Sequence, residues 1–240
     1  MVKWCGMKLN VIYEDNHIIV VEKPVNVSVQ KDISEDKDLL TMVKEYVKVK
    51  YNKPGNVFIG LVHRLDRPVG GVMVFARTSK AASRLSEQIR NKTVKKEYLA
   101  VVNGRLEKER GVLENYLVHD KKDNITSVVS EKEAKNNKEV KKAILEYKVL
   151  EYDKKNDVSL VEVDLKTGRH HQIRVQFNNI GHSLIGDYKY GENNRGEISP
   201  ALFAYKLEFL HPTKNEKMSF EIKPRDEGIW KNFTNLLKTL

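Results

Sequence analysis

The order of patterns along the chain predicts an α+β fold, a mixed, largely antiparallel β-sheet flanked by helices. Three observations carry this. Strand-like β-branched runs and helix-like apolar periodicities follow one another without the strict alternation that a doubly wound parallel sheet requires. Several of the strand-like runs come in pairs separated by short polar turns, as hairpins do. No Walker or dinucleotide glycine loop is present, and no self-similar repeat of roughly 20–50 residues.

The first hairpin is Val11-Ile12-Tyr13, a turn at Glu14-Asp15-Asn16, and His17 to Val21, closed by Lys23-Pro24. Leu40, Val43 and Val47 at i, i+3 and i+7 predict an amphipathic helix over about 38–50. Residues 58–80 then hold the least generic stretch of the chain. An apolar run is interrupted by His63-Arg64-Leu65-Asp66-Arg67, and Pro68-Val69-Gly70-Gly71 leads into a second apolar run, Val72 to Ala76. That second run has the continuous β-branched and aromatic character of a strand buried on both faces. The charged knot must therefore be a turn anchored to the core, with proline presetting φ and glycine permitting close approach.

Thr78-Ser79 caps a predicted helix with Ala82, Leu85 and Ile89 on one face. Lys95 to Asn103-Gly104 reads as a strand, and residues 111–130 as two more, around Val112–Val118 and Ile125–Val129. The mixed-charge segment 131–142 is expected to be a loop or frayed edge. Ile144–Tyr152 and Val158–Leu165 form a hairpin, and Thr167-Gly168 turns into a helix with Ile173, Phe177 and Ile180 on one side and Gly181 at its end. Ala201–Leu210 and Met218–Ile222 form a closing hairpin. Ile229, Trp230, Phe233 and Leu237 predict a C-terminal helix.

A chain of 240 residues can build one large domain or two small ones without disulfide staples, and a single domain over 1–240 is the expectation. The lone cysteine, Cys5, excludes an intramolecular disulfide and a cysteine-rich zinc site, and points to a reducing compartment. No apolar run approaches ~18 residues and no signal-peptide core is present, so the expected location is the cytoplasm, away from membranes. A formal charge of +10 and a pI near 9.4 fit a polyanionic partner such as a nucleic acid. They fit an ordinary basic surface as well.

The knot has two readings from its residues alone: a surface loop of weak salt bridges, or a rigid turn presenting one carboxylate among three potential cations. Tyr98 is either a packed strand aromatic or a functional side chain. Two histidines and two arginines, Arg169, His170, His171 and Arg174, gather around a helix N-terminus, a reasonable anion site. Adjacent His170-His171 is poor metal-ligand geometry.

His63-Arg64-Leu65-Asp66-Arg67 with its glycine turn and apolar strand closely resembles the signature of RluA-type pseudouridine synthases. Tyr13 to Pro24 resembles the opening motif of that family, Lys96-Glu97-Tyr98-Leu99-Ala100 its Lys-x-Tyr-x-Ala pattern, and Thr167-Gly168-Arg169-His170-His171-Gln172-Ile173-Arg174-Val175 its Thr-Gly-Arg-x-His-Gln-Ile-Arg-Val motif. Gly186-Asp187-Tyr188-Lys189-Tyr190-Gly191 resembles the Gly-Asp-x-x-Tyr-Gly that follows it. The likeness runs from about residue 8 to about 225. Departures are Pro68-Val69-Gly70-Gly71 in place of the commoner x-Thr-Ser-Gly, His170 where Thr is usual, and Gln176 where His is usual. Many relatives carry an N-terminal S4-type RNA-binding domain, which is expected to be absent here.

The resemblance implies a pseudouridine synthase fold with a central cleft and a reaction needing neither cofactor nor metal. The partner is ribosomal or transfer RNA, and the chain is expected to act as a monomer. It implies that Asp66 is catalytic, as nucleophile or as base toward a ribose proton, that Tyr98 removes the C5 proton, and that Arg174 pairs with Asp66. Ile173 lies against the target base in that scheme, and His63, Arg64, Arg67, Arg169, His171 and Gln172 join it around the substrate. Arg64 is the wedge that fills the gap left by a flipped nucleotide, or a brace that ion-pairs within its loop. Lys92, Lys95, Lys96, Lys121, Lys122 and Arg169 are the cations near these motifs. Two other readings start from the same residues: a noncatalytic RNA-binding protein on this fold, and a hydrolase with Asp66 as nucleophile and His63 as base.

Overall fold

In the computed structural model of the chain, residues 9–32, 36–191 and 199–240 are described. Cys5 lies outside them. The elements run β1 (Asn10–Glu14), β2 (Ile18–Lys23), α1 (Leu39–Lys50), β3 (Gly60–Leu61), β4 (Gly70–Ala76), α2 (Ser79–Arg90), β5 (Lys95–Asn103), β6 (Arg110–Asp120), β7 (Ile125–Val129), α3 (Glu131–Asn136), β8 (Lys141–Asp153), β9 (Val158–Leu165), α4 (Gln172–Asn179), β10 (Leu202–Leu210) and β11 (Lys217–Glu221). A 3₁₀ turn, Gly228–Phe233, leads into α5 (Thr234–Thr239). This is the mixed, largely antiparallel α+β architecture expected from the sequence. The chain falls into two compact units, Met1–Val94 with Lys206–Ile222, and Lys95–Tyr205 with Lys223–Leu240.

In the first unit β1 pairs with β2, β2 with β4 and β3 with β4, all antiparallel. The turn of the first hairpin is made by Asp15, whose Oδ1 accepts from the N–H groups of His17 at 2.7 Å and Ile18 at 2.8 Å. Every residue of β4 is buried, as its continuous apolar run demands. One face of β4, Val72, Val74 and Ala76, packs with Ile18 and Val20 of β2, Ala81 and Leu85 of α2, and Leu207 and Phe209 of β10. Full burial of each Leu, Val or Phe of this kind contributes about 1.5–3 kcal/mol. Ala81 of α2 is buried, and Ala82, which the sequence pattern put on the core face, is partly buried against the same cluster. The Thr78 hydroxyl caps α2 by accepting from Ala81 N–H. A Cβ at Gly60 would stand 2.8 Å from that of Ala82, so only glycine lets β3 approach α2 this closely.

The second unit is a meander in which β5 pairs with β9, β9 with β8, β8 with β6 and β6 with β7, again antiparallel. Gly111 of β6 faces Tyr147 of β8, whose ring would stand 2.6 Å from an added Cβ. Helix α4 packs Val175 against Leu117 and Ala143. The segment expected to be a loop at 131–142 instead holds α3, started by a capping box in which Ser130 and Glu133 exchange hydrogen bonds. The helix closing the chain begins as a 3₁₀ turn and becomes α-helical only at Thr234.

Candidate active site

The knot is a turn held from three sides. Val69 N–H donates to the Asp66 carbonyl at 3.0 Å. Lys23, the last residue of β2, is wholly buried. Its Nζ donates to the carbonyls of Pro24 at 2.9 Å, Arg67 at 2.9 Å and Val69 at 2.7 Å. Burial pushes the pKa of Lys23 down to about 7, with the Asp66 carboxylate drawing it upward and Arg67 downward. His63 pins the other end of the turn, its Nε2 accepting from Val74 N–H of β4 at 3.1 Å. Asp66 is thereby presented, half-buried, on backbone fixed to two neighbouring strands.

The other side chains of the knot divide by partner. Arg67 donates to Asp32 at 3.2 Å and Asp36 at 2.5 Å, so the guanidinium expected to hold substrate braces the segment before α1. Arg64 is exposed and has no hydrogen-bond or ion-pair partner among the described residues. Lys23 was not among the residues expected at the site. Its only signal was the Lys-Pro that ends the first hairpin, and nothing local shows a lysine bonded to carbonyls 44 and 46 residues away.

In the second unit β5 carries Tyr98, buried, in register with Val163 of β9. The turn Thr167-Gly168-Arg169 leads to α4 and is built around Gln172. Its Oε1 accepts from Thr167 Oγ1 at 2.8 Å and Arg169 N–H at 3.1 Å, and its Nε2 donates to Ile144 O at 3.1 Å and Gln176 Oε1 at 2.9 Å. Gln172, expected to touch substrate, is instead the buried core of the turn, with both ends of its amide engaged.

His171, also expected to touch substrate, is buried and has φ 51° at the N-cap of α4 without capping it. Its Nδ1 meets the Tyr190 hydroxyl at 2.7 Å. Burial first, then the charge of Arg174, holds the ring neutral with a pKa of about 2. The helix N-terminus therefore receives no positive charge from His171. His170 stacks between His119 at 3.8 Å and His171 at 3.7 Å and meets Thr126 Oγ1 at 2.8 Å.

Arg169 is exposed and donates to Lys142 O at 3.0 Å. Ile173 is 4% exposed. Arg174, buried in α4, makes a bidentate pair with Asp187, Nε to Oδ2 at 2.7 Å and Nη2 to Oδ1 at 2.6 Å, and lies over the Tyr190 ring at 5.1 Å. Asp187 Oδ1 also accepts from the N–H groups of Lys189 and Tyr190. The sequence motif named Asp66 as the partner of Arg174. Within its own unit the guanidinium is oriented by the aspartate of the Gly-Asp motif.

Among the described residues no three His, Cys, Asp or Glu side chains gather as a metal would require, and no helix is long and apolar enough to cross a membrane. The chemistry present is one carboxylate on a rigid turn, an exposed arginine beside it in sequence, a buried tyrosine and an oriented arginine.

A family model for RNA pseudouridylate synthase matches residues 17–179, a span that includes Asp66, Tyr98 and Arg174. An uncharacterized RNA pseudouridine synthase of Aquifex aeolicus is 36% identical over 229 residues, covering 91% of this chain and 70% of that protein. The ribosomal large subunit pseudouridine synthase C of Buchnera aphidicola is 31% identical over 237 residues, covering 95% of this chain and 70% of that protein. The structure of human RNA pseudouridylate synthase domain containing 4 has the same fold, with a TM-score of 0.75 at 21% identity over 95% of this chain and 93% of that one. The matched span, these relatives and the shared fold agree: the chain belongs to the RNA pseudouridylate synthase family and is an RNA pseudouridine synthase, an isomerase.

Proposed function

We propose that the chain converts a uridine of ribosomal RNA to pseudouridine with Asp66 as its catalytic group. The observation that carries the assignment is the support of that residue. Asp66 is the single acidic residue of the stretch 58–80, and its turn is held by the Lys23 amine, the His63 ring and the Val69 amide. Such pre-organisation suits a group that must meet a reacting sugar without rearranging.

In this reading the C1′–N1 bond breaks, the base turns, and a C1′–C5 bond forms, with Asp66 as nucleophile or as base toward a ribose proton. Tyr98 takes the C5 proton late in the reaction. Arg174, oriented by Asp187, supplies positive charge to Asp66 and so favours its carboxylate form. Ile173 lies against the target base, and Arg64 enters the stack vacated by the flipped nucleotide. His63 and Gln172 serve the substrate indirectly, through the turns they hold. Arg67, Arg169 and His171 are the remaining residues assigned to the substrate in this reading. No cofactor takes part, and the protein works in the cytoplasm as a monomer. Ribosomal RNA is favoured as substrate by the name of the Buchnera relative.

The test is Asp66→Asn, assayed by tritium release from RNA labelled at uridine C5 and by RNA binding. Turnover should vanish while affinity stays within a few-fold of the parent. Appreciable turnover in the variant would remove Asp66 from the chemistry. A parent protein that binds RNA without releasing tritium from any cellular RNA would favour a binding role.

A further inference from the structure

Three lysines surround the junction of β5 with the turn before α4, and two of them have carboxylate partners. Lys95 pairs with Glu97, and Lys166 pairs with Asp164 and with Glu146. Lys96 points to the opposite face of β5 from Lys95 and has no hydrogen-bond or ion-pair partner among the described residues. It is nevertheless half-buried, and burial, with no charged neighbour contributing, lowers its pKa. A Cβ added to Gly168 would meet only the Lys96 amine, at 3.3 Å. The amine thus sits against the glycine of the Thr-Gly-Arg turn, where a side chain would crowd it.

A partly dehydrated ammonium without a counter-ion is costly, and proteins keep such a group where an arriving anion neutralises it. Lys96 shares the strand face of Tyr98, two residues away, a separation of about 6.8 Å along a strand. That is a step of nucleotide dimensions. We propose that Lys96, seated on Gly168, binds a backbone phosphate of the RNA next to the uridine presented at Tyr98. The site takes a phosphodiester, and Gly168 is its second component, because any Cβ there narrows the approach to the amine. The inference rests on the placement of the target uridine at Tyr98 given above.

The neighbouring cations do not offer the same site. Lys95 is neutralised by Glu97, and the Arg169 Nε is engaged by Lys142 O. The test uses the full-length protein and an RNA that the parent protein modifies. Lys96→Met keeps the stem and removes the charge, Lys96→Arg restores it, and Gly168→Ala crowds it. Loss of one charge-assisted contact should weaken RNA binding about tenfold in Lys96→Met, and the slope of log K against log salt should shrink by about 0.7. Lys96→Arg should recover most of the affinity, and Gly168→Ala should lose several-fold with the melting temperature unchanged in all three.

Lys95→Met is the control and should leave the slope within error. A Lys96→Met protein with the parental slope and affinity overturns the phosphate assignment, even with Asp66 chemistry intact. A shortened slope with parental affinity for the product RNA but not the substrate would also overturn it, because a phosphate contact is common to both. If the parent protein modifies no RNA, the failure lies with the functional reading, and the slope comparison on bound RNA still decides the role of Lys96.

Discussion

Lys23→Met is the perturbation that most directly separates a buried lysine that builds the turn of Asp66 from one that the fold merely tolerates. Methionine keeps much of the volume of the stem but offers no donor to the carbonyls of Pro24, Arg67 and Val69. Leaving a buried acceptor unsatisfied costs about 1–3 kcal/mol. Three such acceptors would set a loss of several kcal/mol, offset in part because the variant no longer dehydrates a charge, itself a penalty of several kcal/mol. The net expectation is a destabilisation of about 3 kcal/mol, which in a protein of this size lowers Tm by roughly 6–12 °C.

The loss should depend on pH with a defined sign. Burial lowers the folded-state pKa of Lys23 from 10.5 to about 7. As pH falls through that window the unfolded chain takes up the proton before the folded one does, so the contribution of the lysine is full above the upper value and declines toward the lower. The deficit of Lys23→Met should therefore be larger near pH 9 than near pH 7. Thermal unfolding by circular dichroism at both pH values reads stability, and tritium release reads the placement of Asp66. A variant as stable as the parent at both pH values, or one whose deficit grows toward neutral pH, would refute the argument.

Removing the carboxylate from the buried Arg174–Asp187 pair, as in Asp187→Asn, should cost about 3–5 kcal/mol because it strands a guanidinium, and chemical denaturation would show it. Together with Arg174→Ala it forms a cycle whose coupling should exceed about 1 kcal/mol, and additive effects would deny the pair. Arg64→Ala, which removes an exposed side chain without a partner among the described residues, should leave Tm within about 1 °C, since surface substitutions usually change stability by less than about 0.5 kcal/mol. Its activity should fall much further on a folded stem-loop than on a short unstructured RNA, and equal losses on both would argue against a wedge.

Much of the fold was legible because its signals are local. The continuous apolar run of Val72 to Ala76 marked a strand buried on both faces, and β4 is wholly buried. Caps at Thr78 and turn residues at Asp15 act within three residues of themselves. The helix α3 was missed although its signal, Ser130 followed by Glu133, was present, because a capping box before a stretch whose one apolar residue is Ala134 looks like loop. The chemistry of the knot was legible as residue types, and the motif likeness supplied their roles.

The sequence by itself determined which groups are available: one carboxylate in a glycine-closed turn, a strand tyrosine, and a helix rich in basic and polar side chains. Tertiary structure alone decided their duties. It set Lys23 on carbonyls far along the chain, committed Arg67 to Asp32 and Asp36, Gln172 to its own turn and Arg174 to Asp187, neutralised His171 by burial, and left Arg64 and Lys96 without partners among the described residues. The physical reason is that a polar side chain takes its role from whichever partners and how much water surround it after folding. Those surroundings are assembled from segments whose pairing no local pattern records.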